Sequence, residues 1–193
     1  MDNESNAADE ARLIAQAHSD PDAFIKLYRR YYDAIFRYCV HRLFSRQPAE
    51  DATSQVFLKA VEHSGRFKGD AVQFRSWLYR IAGNVVSDHL RKTARRQRLF
   101  ERASREHNIR IVGGESAEES SNEKYAELRD AILSLRPRYQ TVITLRFFEN
   151  MKLTEIAEVL GRSAGTVRSQ LARALRELRK RLQHPTGGVK KND

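Results

Sequence analysis

Residues 151–182, MKLTEIAEVLGRSAGTVRSQLARALRELRKRL, constrain the fold more than any other stretch of this chain. They read as two helical patterns broken once, at Gly161-Arg162-Ser163. In the first, Ile156, Ala157 and Leu160 share a face. Gly161 stands where that helix ends, because glycine enters the left-handed C′ conformation without a Cβ penalty. Ser163 is placed to accept the backbone N–H of Thr166 and so cap the next helix. There Val167, Leu171, Leu175, Leu178 and Leu182 make one apolar stripe at steps of three and four. Gly165, Thr166, Arg168, Ser169, Ala172, Arg173 and Arg176 fall on the other faces. A short helix, a glycine turn and a longer helix with small and basic residues outward make a helix-turn-helix. The small residues let such a helix enter a major groove, and the arginines reach guanine edges or phosphates. The competing reading is an ordinary helical hairpin with a solvated basic face.

The composition of the whole chain agrees with a polyanionic partner. Its 193 residues carry 35 Lys and Arg against 25 Asp and Glu, a formal net charge of +10, and the sequence pI is about 10.0. That balance points to nucleic acid or an acidic membrane surface. The length suits one large or two small domains. A charged fraction of 31% and a mean hydropathy of −0.66 describe a soluble protein with modest cores. The single cysteine, Cys39, excludes an internal disulfide and a cysteine-based zinc site. It lies on an apolar helical face and reads as a buried structural thiol. No apolar run approaches the roughly 20 residues that span a bilayer. With the polar, acidic start MDNESNAADE, the chain is expected to be cytoplasmic.

In chain order, residues 1–9 are expected to be disordered and residues 10–17 to form a short helix. Asp20-Pro21 is a helix start, with the aspartate as cap and proline at the first position. The helix that follows carries Phe24, Leu27, Tyr28, Tyr31, Ile35, Cys39 and Leu43 on one side. Pro48 opens another, with Ala52, Val56, Phe57 and Ala60 inward and Glu50, Asp51, Ser54, Gln55 and Lys59 outward. Residues 67–71 are a loop. From Gln73 a periodic helix aligns Phe74, Trp77, Leu78, Ile81, Val85 and His89, then runs into the basic tail Arg91, Lys92, Arg95, Arg96, Arg98, Arg102 and Arg105. No alternating strand pattern occurs, so the fold class is all-α.

Residues 104–123 contain Gly113-Gly114 and the acidic, serine-rich GESAEESSNE. Such a segment buries too little apolar surface to offset its ordering entropy, and it reads as a flexible linker. A second helical domain begins at Lys124, with the stripe Tyr125, Leu128, Ile132 and Leu135. Arg136-Pro137 separates that helix from one that packs Tyr139, Val142, Ile143 and Phe147, and the helix-turn-helix follows. Residues 184–193 are a polar tail. Two small basic domains on a tether suit two contacts on one polyanion, the first raising the effective concentration for the second.

These segments carry a family resemblance. AEDATSQVFLKAVEHSGRF and FRSWLYRIAGNVVSDHLRK resemble the sigma-2 domain of bacterial RNA polymerase sigma factors. LSLRPRYQTVITLRFFENMKLTEIAEVLGRSAGTVRSQLARALRELRKRL resembles their sigma-4 domain. With only these two domains, at 10–103 and 124–183, the chain is similar to the extracytoplasmic-function (ECF) group. One departure stands out. Lys152 occupies the position where the family usually caps the first helix of the motif with serine or threonine, which moves the cap to Asn150 or weakens it.

The resemblance implies an alternative sigma factor. It would bind core RNA polymerase through the clamp helices and the flap, direct it to promoters, and be controlled by an anti-sigma factor. For the −35 element the implied contacts are Ser163, Gly165, Thr166, Arg168, Ser169, Ala172, Arg173 and Arg176, with Arg146 on a phosphate. For the −10 element, whose base is flipped into a pocket, they are Phe67, Lys68, Gly69, Asp70, Ala71 and Asn84. Arg91, Lys92, Arg95 and Arg96 would hold the backbone. Asp51, Gln55 and Lys59 match the surface that docks on the clamp helices.

Nothing supports catalysis by this chain, a cofactor, a metal or a small-molecule substrate: there is no Gly-rich phosphate loop, no HExxH and no nucleophile arrangement. Two other functions compete. A dimeric operator-binding regulator would need a self-complementary face beyond the motif, and none is evident after Leu182. A membrane-surface protein would place aromatics on an exposed basic helix, whereas the one tryptophan, Trp77, lies in a core register and no membrane insertion is implied.

Overall fold

The computed structural model describes residues 2–107 and 123–183, with side chains placed for 8–100 and 125–183. The expected tether therefore lies mostly outside the described residues, as does the C-terminal tail. Eight α-helices account for most of what is described: α1 (Asp2–Gln16), α2 (Pro21–Leu43), α3 (Arg46–His63), α4 (Ala71–His107), α5 (Glu123–Leu133), α6 (Pro137–Ile143), α7 (Leu153–Leu160) and α8 (Ala164–Gln183). A 3-10 turn follows α3 and a π-helical turn follows α6. Among the described residues there is no strand.

Several boundaries differ from the sequence reading, each for a local reason. α1 starts at Asp2, inside the segment expected to be disordered. Its far end is anchored by the buried Leu13, Ile14 and Ala17, and Glu10 takes a hydrogen bond from Tyr31 and an ion pair from Arg30 at 3.3 Å. α2 opens as expected, Asp20 accepting the N–H of Asp22 at 2.9 Å ahead of Pro21. α3 starts at Arg46, before Pro48; proline fits the first turn because N–H groups there have no intrahelical partner. α4 starts at Ala71, not Gln73. The Asp70 carboxylate accepts the Gln73 N–H at 2.8 Å and the Gln73 side chain accepts the Asp70 N–H at 3.0 Å, a reciprocal cap. At its other end α4 continues to His107, into the residues read as linker.

α2, α3 and the first half of α4 enclose a core built from Leu27, Ile35, Tyr38, Cys39, Val56, Ala60, Leu78 and Ala82. Tyr28, expected inside, is 38% exposed. In the second domain Tyr139, Val142 and Ile143 are buried, but Phe147 is 52% exposed. The π turn Thr144–Phe148 is the cause: its wider winding turns Phe147 out and brings Phe148 inward, 4.2 Å from the His41 ring. In α8 the buried row is Val167 and Ala174 with Leu171 and Leu178 partly covered, while Leu175 and Leu182 are exposed. At 100° per residue, Ala174 falls about 20° from Val167 and Leu175 about 80°.

The two domains are packed together, and one apolar cluster runs from Leu13 in α1 to Val167 in α8. α2 and α4 each have a second covered side. Tyr79 and Val86 of α4 are buried, with the Tyr79 hydroxyl donating to Glu149 at 2.7 Å. Arg42 of α2 is 1% exposed and donates to Gln140 of α6 at 2.6 Å. Gln140 in turn donates to the carbonyls of Leu133 and Leu135, both at 2.9 Å, closing the end of α5.

Candidate nucleic-acid interface

The turn between α7 and α8 follows from two residues. Gly161 sits in the left-handed region at φ 59°, and its N–H closes α7. The Ser163 hydroxyl accepts the Thr166 N–H at 3.2 Å. The N-terminus of α7 is held without a side-chain oxygen at the cap: the Lys152 N–H donates to the Glu155 carboxylate at 2.5 Å. Asn150 does not serve as that cap; at φ 52° it forms the bend before α7.

With Val167 and Ala174 buried, α8 turns Ser163, Gly165, Thr166, Arg168, Ser169, Ala172, Arg173 and Arg176 away from the core, Thr166 being half-covered and the rest exposed. A shallow cleft of about 400 Å³ runs along this face, with Arg138 and Tyr139 of α6 on one wall and Thr166, Ser169 and Arg173 on the other. The Arg138 guanidinium lies 4.9 Å from the centre of the Tyr139 ring. It also donates to the Tyr139 hydroxyl at 3.4 Å. The hydrogen bond from Arg138 holds that phenol below its ordinary pKa. Arg138, which the sequence reading did not single out, thus shares the cleft with α8. Arg146 is also exposed, steered by a bond of 2.8 Å to the Met151 carbonyl.

The first domain presents a second basic surface. Phe67 packs edge-on against Phe74 at 5.3 Å and against Trp77 at 5.1 Å, so it props the 67–71 loop from inside. Asp70 is engaged in capping α4. Lys68 and Gly69 remain exposed, and a cleft of about 540 Å³ opens beside them between Arg66, Trp77 and Arg80, closed on one side by Glu158 of α7. Asn84 does not share it. That side chain lines a neighbouring cleft with Tyr38, Tyr79 and Gly161. Further along α4, residues 91–100 are all exposed. Arg91 pairs with Asp88; Lys92, Arg95, Arg96 and Arg98 have no ion pair with any described residue.

Comparison with known proteins decides what such a pair of surfaces belongs to. The family models "Sigma-70 region 2" and "Sigma-70, region 4" match residues 27–96 and 125–178. A Bacillus subtilis protein, RNA polymerase sigma factor YlaC, is 32% identical over 83% of this chain and 92% of its own length. ECF RNA polymerase sigma factor SigW of Bacillus subtilis is 30% identical over 89% of this chain and 95% of its own. The chain belongs to the ECF sigma factors. ECF RNA polymerase sigma factor BldN of Streptomyces coelicolor is 33% identical over 91% of this chain, which spans 66% of that relative's length. The solved structure of CnrH in complex with the cytosolic domain of CnrY shares the fold, with a TM-score of 0.66 at 22% identity over 91% of this chain and 97% of that one.

In this sigma factor the residues foreseen for polymerase docking, Asp51, Gln55 and Lys59, are all exposed on α3. They border an apolar patch that went unnoticed: Leu58 and Val61 on α3 are 58% and 43% exposed, and Tyr28, 4.7 Å ring to ring from Phe57, adds a third group. Leu58 is legible in hindsight, since it sits seven residues after Asp51 on the same helical face. No helix among the described residues is long and apolar enough to cross a membrane.

Proposed function

We propose that this ECF sigma factor reads the −35 element with the outer face of α8 and the −10 element with the surface around the 67–71 loop. Thr166, Arg168, Ser169 and Arg173 meet base edges in the major groove, while Arg138, Arg146 and Arg176 hold flanking phosphates. Arg91, Lys92, Arg95 and Arg96 follow the strand that leaves the −10 element. Phe67 and Asp70 shape the pocket rather than touch the base, Lys68, Gly69 and Ala71 supply its rim, and Asn84 meets the strand from the neighbouring cleft on α4. Asp51, Gln55, Leu58 and Lys59 dock on the clamp helices of core polymerase, and the second domain docks on the flap.

The observation that carries this reading is α8 itself. A capped recognition helix keeps its small and basic face open while its apolar face is buried in the domain. An anti-sigma factor fits the same picture, because the structural relatives include a sigma factor in complex with the anti-sigma factor NepR from Bartonella quintana. The chain acts in the cytoplasm, where its polymerase is, and carries out no chemistry of its own.

The test is transcription in vitro from sheared genomic DNA of the host, with core polymerase alone and with the chain added, and the 5′ ends sequenced. The added chain produces starts that share a −35 and a −10 sequence at fixed spacing. Initiation without any shared −35 sequence, or tight binding of a palindrome without polymerase, refutes the reading.

A further inference from the structure

The family match to region 2 ends at residue 96, but α4 does not: the helix runs on to His107. Just past that match, Leu99 and Phe100 are 60% and 48% exposed. Exposed apolar side chains are ordinary by themselves. The charge pattern around this pair gives it meaning.

Residues 91–100 carry five cations, Arg91, Lys92, Arg95, Arg96 and Arg98, and no acid. At about 100° per residue, with Arg91 as origin, Arg95 falls at about 40°, Leu99 at about 80°, Lys92 at about 100° and Arg96 at about 140°. Arg98 falls at about −20°, beside Arg91. Leu99 thus stands in the middle of the basic arc, and Phe100, at about 180°, on its rim. Thr93, Ala94 and Gln97 fill the back of the helix.

Three polyanions could meet such an arc, and the placing of the apolar pair separates them. An acidic membrane surface takes a helix whose apolar residues share one face; here Arg96 stands between Leu99 and Phe100. A duplex keeps its bases stacked inside and offers sugar and phosphate, against which Leu99 would lose water and gain nothing. A single strand offers phosphates and unstacked bases together. Cations along the backbone with an aromatic group beside them make a site that takes any base, since every base has a π-face.

We propose that Leu99 and Phe100 form a platform for single-stranded DNA: Phe100 stacks on one unstacked base, Leu99 packs beside it, and Lys92, Arg95 and Arg96 hold the flanking phosphates. This rests on the function proposed above, which supplies the strand. Phe100 lies 16 residues beyond Asn84, about 24 Å along the helix at 1.5 Å per residue. The platform therefore grips the opened strand away from the residues that read sequence, and favours the open promoter whatever its sequence.

Phe100→Ala is the test, beside Phe100→Tyr, which keeps the ring, and Arg96→Ala, which removes one cation. Circular dichroism first confirms equal helix content. The full-length chains are titrated, without polymerase, against a fluorescent mixed-sequence single strand and a mixed-sequence duplex at two salt concentrations, and against phosphatidylglycerol vesicles. Phe100→Ala is expected to bind the single strand about tenfold more weakly at an unchanged salt slope, with duplex binding kept. Phe100→Tyr binds as wild type, and Arg96→Ala lowers the salt slope by about one charge. Equal single-strand binding by Phe100→Ala and wild type overturns the proposal, as does an equal loss on single strand and duplex. Loss of vesicle binding with single-strand binding kept assigns the pair to a lipid surface and overturns it too. Wild-type transcription with core polymerase is run beside them; its failure removes the functional reading, whereas the platform stands or falls on the titrations.

Discussion

Gly69 tests how the 67–71 loop is built. A Cβ added there would lie 2.4 Å from the Gln73 Oε1, 2.9 Å from the Phe67 Cζ and 3.0 Å from the Gln73 Cβ. Two things must give. The Gln73 amide has to leave, which breaks its bond to the Asp70 N–H. Because Asp70 is exposed, water replaces that bond, and the loss is about 0.5–1 kcal/mol. Phe67 has to move by a few tenths of an ångström against Phe74 and Trp77, an overpacking cost of about 1–2 kcal/mol. Gly69→Ala is therefore expected to destabilise the chain by about 1.5–3 kcal/mol, or about 3–12 °C in Tm at this size. Gln73→Ala alone loses the capping bond and costs about 0.5–1 kcal/mol. The double variant should fall short of the sum by about that amount, since one bond cannot be lost twice. Thermal melts of the four proteins give the cycle. Strict additivity, or a Gly69→Ala Tm within 1 °C of wild type, would show that the loop yields freely and that Phe67 does not prop it.

Other expectations follow from the same geometry. Arg173→Ala should weaken promoter binding by about 1–3 kcal/mol at particular −35 base pairs, whereas Arg138→Ala should weaken all sequences alike and lower the salt slope by about one charge; promoter-variant titrations at two salt concentrations separate them. Burial raises the Glu149 pKa above its usual value of 4.5, more than Tyr79, Arg37 and Arg75 lower it. A raised folded pKa means the ionised carboxylate costs stability at neutral pH, a cost relieved as pH falls towards and below 4.5. Glu149→Gln should then melt at or above the wild-type temperature at pH 7, with the gap closing near pH 4; a lower Tm at pH 7 contradicts this. Burial pushes the Cys39 thiol up to about 11. Iodoacetamide at pH 8 should therefore leave the native chain unlabelled and modify it only in denaturant, as mass spectrometry would record.

The helix-turn-helix was legible because every signal in it is local. Gly161 needs a left-handed φ, Ser163 needs only the N–H three residues on, and the outward set of α8 follows from helical period. What escaped is long-range. Tyr79 and Val86 lie off the Phe74–Leu78–Ile81–Val85 stripe, so one apolar face was assigned to α4 where two exist. The second meets α7 and Glu149, the latter 70 residues beyond Tyr79 in sequence. Arg42 shows the same limit: nothing near it marks an arginine for burial, and its partner Gln140 belongs to the other domain. Phe147 and Leu175 were misplaced by smaller shifts, one by a π turn without a sequence signature and one because Ala174 was too small to notice. In the 67–71 loop, Phe67 packs against Phe74 and Trp77 and Asp70 caps α4.

The far half of α4 has a consequence for how the chain senses its surroundings. From Arg91 onward the helix has exposed side chains through residue 100 and no core beneath it. Arg91 and Arg95, and Lys92 and Arg96, stack like charges one turn apart, which works against the helix by a few tenths of a kcal/mol per pair. A polyanion laid along this rod cancels that repulsion. Helix and polyanion would thus be thermodynamically linked: rising ionic strength firms the bare rod while weakening its grip, and a polyanion laid along it would stabilise the helix already formed.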